Sequence, residues 1–191
     1  MISLIVGLGN PGKAHEGNRH NAGADFVSAL AHQKKAVLKL DKKYFGYTGK
    51  FQHEARDIHL LVPTTYMNLS GKAIAALCTF YKIAPETILV CHDELDFPPG
   101  DIRLKKGGGH GGHNGLRDTI SALGNHNGFL RLRIGIGHPG DAAQVADYVL
   151  KNPSRSEHKL IEQSFEKGLA VIDQIIEGQT EKAMHQLHSK S

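Results

Sequence analysis

A chain of 191 residues has room for one core of ordinary domain size and little for a second. Its 40% hydrophobic and 22% charged residues exclude a disordered or fibrous chain. No apolar run approaches the roughly 20 residues that cross a bilayer, so a helical membrane protein is excluded and no membrane partner is expected. Lys and Arg number 23 against 19 Asp and Glu, a net charge of +4 that by itself decides nothing about partners. The distribution says more. Lys34, Lys35, Lys39, Lys42, Lys43 and Lys50 gather early, and Arg103, Lys105, Lys106, Arg117, Arg131 and Arg133 gather near a glycine-rich tract, so a phosphate-rich partner competes with a merely solvated surface. The strand pattern beginning at Ile2 leaves no basic leader with a cleavage site, so a cytoplasmic protein with Cys78 and Cys91 reduced is expected.

In chain order, the spacing predicts strands over 2–7, 36–40, 44–51, 57–62, 87–91, 101–105 and 130–137, with helices between them. Residues 21–33 place Phe26, Val27 and Leu30 on one helical side, and 70–82 do the same with Ile74, Leu77, Cys78 and Tyr81. Asn114 is expected to cap a helix carrying Leu116, Ile120 and Leu123 that stops at Gly124. Asp141 is expected to cap another through Val145, Tyr148 and Val149. After Pro153, Ser154 and Glu157 stand in capping-box spacing before a stripe of Leu160, Ile161, Phe165, Leu169, Ile172 and Ile176, and 180–188 read as a last helix. Strands interleaved with helices give a single α/β domain over residues 1–191, with a mixed sheet because 36–51 read as an antiparallel excursion.

Three apolar runs stop abruptly in polar segments. Leu4-Ile5-Val6 leads to Asn10, Leu60-Leu61-Val62 to Asn68, and Ile88-Leu89-Val90 to Asp93. Runs of this kind are buried parallel strands, and open α/β sheets bind ligands beyond the carboxyl ends of their strands, so these residues are expected at one edge of one sheet.

Gly7-Leu8-Gly9-Asn10-Pro11-Gly12 matches a dinucleotide fingerprint, but Pro11 removes an amide donor and the helical pattern starts only near residue 21. A tight turn presenting Asn10 is the better reading. His15 and His20 lie five apart with Gly17 between them, which is not the one-face spacing of a helical zinc pair, and His110 and His113 sit among glycines; no metal is expected. His20 stands between Arg19 and Asn21 where a loop hands over to a helix. An isolated histidine is usually a surface residue, but a carboxylate at a neighbouring strand end, Asp93, can fix its tautomer and leave the other nitrogen to take a proton from water. Glu94 and Asp96 read as solvated turn charges. No nucleophile elbow is present, so directly activated water outweighs a covalent intermediate. The tract Lys105 to Gly115 reads as a flexible loop or as a gate whose amides and lysines face an anion, with Asn114 at its far end. In 130–137, alternation predicts Arg131 and Arg133 together on a face opposite the core.

Six segments in order complete the pattern: Gly7 to Gly12, Arg19 to Gly23, Pro63 to Lys72, His92 to Asp96, Gly107 to Leu116 and Arg131 to Gly140. Together they resemble the bacterial peptidyl-tRNA hydrolase family, which cleaves the ester between a peptide and the terminal ribose of tRNA. The resemblance implies that His20 is the general base and Asp93 its orienting partner, and that Asn10 and Asn114 position water and the scissile ester. It further implies that Asn68 beside Met67 holds the peptide main chain, with Tyr66, His15, His113, Gly111 and Gly112 around the substrate. Lys105 and Arg133 would grip the tRNA 5′-phosphate, with the acceptor stem received near the glycine loop and the C-terminal helices. The implied fold is a twisted mixed β-sheet surrounded by helices, monomeric and needing no cofactor. Family members usually carry Tyr at position 15 and Thr at 18, where this chain has His15 and Asn18, so an aromatic contact to the substrate is altered. An RNA-binding module on the same scaffold is the alternative, since a plant organellar splicing factor resembles the family without being a general hydrolase.

Overall fold

A strand apolar on both faces is satisfied only between two layers of helices, and the three runs that open the site lie side by side in that setting. The computed structural model describes residues 1–189. Its strands are β1 (Leu4–Gly7), β2 (Lys39–Asp41), β3 (Gly46–His53), β4 (Arg56–Pro63), β5 (Ile88–Glu94), β6 (Ile102–Lys106) and β7 (Leu130–Gly135). They form one seven-stranded sheet in the order β2-β3-β4-β1-β5-β7-β6. β4, β1, β5 and β7 run parallel, while β2, β3 and β6 are antiparallel to their neighbours. The mixed sheet and the antiparallel excursion match the sequence reading. No described helix is long and apolar enough to cross a membrane.

The helices are α1 (Ala22–Gln33), α2 (Ser70–Tyr81), α3 (Asn114–Ala122), α4 (Val145–Val149), α5 (Arg155–Ala170), α6 (Ile172–Ile176) and α7 (Thr180–His188). One face of the sheet, through Ile5, Ile58, Leu60, Leu89, Cys91, Leu132 and Ile134, packs on α1, α5, α6 and α7. The other face, through Leu4, Val6, Leu61, Ile88 and Val90, packs on α2 and α3. Ser154 and Glu157 form the expected capping box at the start of α5. The stripe continuing to Ile176 is not one helix: the chain breaks at Val171, and α6 turns so that Ile172, Ile175 and Ile176 are buried and the Ile176 carbonyl accepts from the Ile2 amide at 2.9 Å. Periodicity reports which residues are apolar and cannot see this bend. The strand expected over 36–40 is shorter and later, at Lys39–Asp41, and the one expected over 44–51 starts only at Gly46, because Lys42–Tyr44 form a 3₁₀ turn. β5 runs past its apolar stretch to Glu94, because its ladder with β7 continues through Asp93 opposite Ile134 and Glu94 opposite Gly135.

α1 lies unusually close to β5. A Cβ built on Gly23 would come within 2.1 Å of the Cys91 carbonyl oxygen and 2.7 Å of its carbon, so backbone meets backbone there and only glycine fits. Gly23→Ala is expected to lower the unfolding free energy by about 1–3 kcal/mol, the usual cost of overpacking, seen as a lower urea midpoint at unchanged slope. An unaltered midpoint would show that the interface has slack.

Candidate active site

The carboxyl ends of β4, β1 and β5 are adjacent, so the residues that follow them converge. Asn10, three residues beyond β1, is held by its surroundings on three sides. Its amide donates to Asn21 Oδ1 at 2.7 Å, its carbonyl accepts from Asn21 Nδ2 at 3.0 Å, and its side-chain Oδ1 accepts from the Met67 amide at 2.7 Å. The Asn10 Nδ2 is thereby fixed as the free donor of that side chain. Met67, buried, opens the 3₁₀ turn that leads into α2, while Tyr66 and Asn68 on either side of it are exposed. A Cβ on Gly115 would meet Met67 Sδ at 2.5 Å, so a glycine lets the start of α3 close over this turn.

Asp93 is 3% exposed. Its Oδ2 accepts from His20 Nδ1 at 2.9 Å and its Oδ1 from His113 Nε2 at 2.7 Å. His20 arrives from the α1 layer, on the 3₁₀ turn Arg19–Asn21, and His113 from the α3 layer. Burial pushes the Asp93 carboxyl up, but the two imidazoles more than offset it and hold it well below the usual carboxylate range. For His20, burial disfavours the charged form while Asp93 favours it through charge and hydrogen bond; the carboxylate wins and the pKa lies above the ordinary imidazole value.

The tautomers follow from partners. His113 Nδ1 accepts from the amides of Gly115 and Leu116 at 3.1 and 3.3 Å, so its proton sits on Nε2 and is donated to Asp93. With Asp93 ionised, His20 donates from Nδ1 and keeps Nε2 as a bare acceptor in the cleft. His113, not Asn114, is therefore the residue that caps α3, because its ring nitrogen reaches both orphan amides. Asn114 is the first helical residue, and its Oδ1 accepts from Arg117 Nη1 at 2.8 Å, leaving Nδ2 free to donate. Next to Asp93, His92 donates from Nδ1 to the Asp93 carbonyl at 2.8 Å; burial first, and His113 beside it second, push it down to about 3, so it is neutral.

A cleft of about 720 Å³ holds His20, Asp93, Lys105, Gly111, Gly112, His113, Asn114 and Arg133 on one lining. Lys105 and Arg133 stand diagonally on one face of the β6–β7 pair, where Arg103 opposes Arg133 and Lys105 opposes Arg131. Arg133 Nε donates to Glu94 Oε1 at 2.8 Å, so Glu94 is a partner of a cleft residue and not a solvated turn charge. Arg131 also departs from expectation. It is 2% exposed, because the glycine loop folds over it and its guanidinium donates to the carbonyls of Gly108, Gly109 and Asn127, which no ladder partner satisfies. Asn10, Tyr66, Met67 and Asn68 lie beside the cleft lining and not on it, and His15 is outside it as well, on the 3₁₀ turn Lys13–His15, with its Nδ1 3.3 Å from Asn18 Nδ2. The two positions that depart from the family pattern thus touch each other.

Three contributors escape sequence reasoning: Asn21 as the brace of Asn10, His113 as the second anchor of Asp93, and Arg19. Arg19 Nη1 donates to the Tyr148 carbonyl at 3.0 Å and its guanidinium stacks 3.9 Å from the Tyr148 ring, fixing the turn that carries His20. The one usable signal was their place at helix starts. Among the described residues, His20, Asp93 and His113 also present ligand atoms within 4.8 Å of one another, as do His53, Glu54 and Glu177 far from the cleft. In the first group every such atom already serves the hydrogen bonds above.

Comparison with known proteins agrees with the geometry. The family model described as peptidyl-tRNA hydrolase matches residues 4–191. A peptidyl-tRNA hydrolase of Pseudomonas putida is 57% identical over 189 residues, covering 99% of this chain and 97% of that protein. One of Pseudomonas aeruginosa is 56% identical over the same shares. The crystal structure of peptidyl-tRNA hydrolase from Acinetobacter baumannii superposes with a TM-score of 0.95 at 47% identity, covering 100% of this chain and 96% of that one. The chain belongs to the peptidyl-tRNA hydrolase family.

Proposed function

We propose that this cleft hydrolyses the ester joining a peptide to the terminal ribose of tRNA, with His20 as general base and Asp93 as its orienting partner. The observation that carries the reading is the 2.9 Å bond from His20 Nδ1 to Asp93, which leaves Nε2 unprotonated in the cleft. A water donates one proton to Nε2 as its oxygen adds to the ester carbonyl carbon. The negative charge on the carbonyl oxygen is met by amide donors, for which Asn10 Nδ2 and Asn114 Nδ2 are the free candidates. Collapse breaks the bond to the ribose 3′-oxygen, which takes the proton back from the imidazolium, releasing tRNA with a free 3′-hydroxyl and a peptide carboxylic acid that gives up its remaining proton to solvent.

Affinity for a substrate of variable peptide sequence comes from main chain and nucleic acid. On this reading Met67 and Asn68, with Tyr66, Gly111, Gly112 and His113 about them, receive the peptide end, and His15 acts only from the adjoining turn. Lys105 and Arg133 meet the 5′-phosphate, and the acceptor stem lies along the glycine loop and the C-terminal helices. The chain acts as a cytoplasmic monomer without cofactor. A purely RNA-binding role leaves the buried, doubly bonded Asp93 without purpose, which favours the hydrolase.

His20→Ala is expected to lower kcat by roughly 10²- to 10⁴-fold, the usual share of a general base, while tRNA affinity stays within a few-fold; equal loss of binding would make His20 a docking residue. The base works only unprotonated, so a pKa above the ordinary value of about 6.5 places the acid limb of kcat/KM above that pH. Asp93→Asn removes both effects that raise it and leaves burial, so NMR titration of His20 should shift below the ordinary value. Arg133→Ala or Lys105→Ala should raise KM about ten-fold for 5′-phosphorylated substrate, on the scale of a charged hydrogen bond, and much less once that phosphate is removed.

A further inference from the structure

The early lysine cluster is not accounted for by the cleft. Lys34 and Lys50 pair with Asp173 and Asp57, but Lys43 lies over an aromatic ring, 3.7 Å from the centroid of Phe80, and so does Lys72, outside that cluster on α2, 4.4 Å from the centroid of Phe45. Phe45 is 36% exposed and holds φ at +54°, a conformation bulky residues rarely adopt. It is pinned there because its carbonyl accepts from both the amide and the hydroxyl of Thr64, just beyond β4, at 2.9 and 3.1 Å. Leu69, 50% exposed, precedes Lys72 by three residues at the start of α2 and so shares its side of the helix. Leu69, Lys72 and Phe45 thus form an exposed, largely apolar ridge that begins two residues after Met67.

Strand order says which half of the substrate can reach it. The His20–Asp93 pair stands at β1 and β5, and the cationic face proposed for tRNA is on β7 and β6. The peptide leaves the ester on the opposite side, over β4 toward β3, where the ridge stands. The five steps from Met67 to Lys72, a 3₁₀ turn running into α2, rise roughly 8 Å, which an extended peptide covers in about three residues.

We propose that Leu69, Lys72 and Phe45 form an outer subsite for the peptide of the substrate, taking apolar side chains about three residues upstream of the ester. The proposal rests on the ester-hydrolase reading. Its test compares kcat/KM for N-acetyl-leucyl-tRNA and for a hexapeptidyl-tRNA ending in the same leucine with leucines upstream, on the wild type, Phe45→Asn and Leu69→Ser. Asn tolerates the left-handed backbone and Ser suits the helix start, so both variants should fold.

The expected result is a wild-type preference for the longer substrate that falls about five-fold in each variant, as partial loss of one apolar contact would give, with turnover of the short substrate unchanged. An unchanged preference, an equal loss on both substrates, or weaker binding of deacylated tRNA by the variants would each overturn the subsite, the last by showing an RNA contact in its place. Wild-type hydrolysis of the short substrate checks the underlying reading separately.

Discussion

A single buried carboxylate, shared by two imidazoles that come from opposite layers of the fold, is the interaction on which the rest of this protein turns. An ionised Asp93 at the end of β5 is tolerable only because both its oxygens accept hydrogen bonds, from His20 on the α1 side and His113 on the α3 side. Each histidine is in turn committed. His113 spends its other nitrogen on the first amides of α3. Of the two, His20 alone keeps a ring nitrogen without a hydrogen-bond partner. The asymmetry between two otherwise similar histidines is thus set by a helix terminus, not by distance from the carboxylate.

The sheet order explains why so few residues suffice. α1, α2 and α3 all begin at the carboxyl edge of the central strands, each entered through a short turn that carries a residue of the candidate site. Their amino-terminal dipoles favour negative charge at that edge, where the ionised Asp93 lies. Close packing supports the arrangement: backbone contact at Gly23 and the approach at Gly115 bring α1 and α3 near enough for their histidines to meet one carboxylate.

Much of this was legible from the chain. The apolar runs ending at Asn10, Asn68 and Asp93 gave the parallel centre of the sheet, and the Ser154–Glu157 spacing gave a capping box found in place. Both are local signals with a one-to-one physical cause. What escaped depends on distant partners. Alternation placed Arg131 on a solvent face, because the strand pattern holds no sign of a loop that would cover it. Asn114 was a reasonable cap by residue type, but the ring beside it had the better reach. Hydropathy carried α5 through Val171 into α6, since both pieces face the same core.

The buried guanidinium of Arg131 has a consequence for access. It clasps the carbonyls of Gly108 and Gly109, and on the strand side the Gly107 amide is tied to Phe129; at the other end His113 is fastened to Asp93. The stretch from His110 to Gly112 is held by local bonds, the Gly112 amide donating to His110 Nδ1 at 3.0 Å and the His113 amide to the His110 carbonyl at 2.9 Å. The glycines that look like slack in the chain are thus for the most part a tied-down sill at the edge of the cleft, and any yielding at its mouth is confined to the three residues between the two clamps.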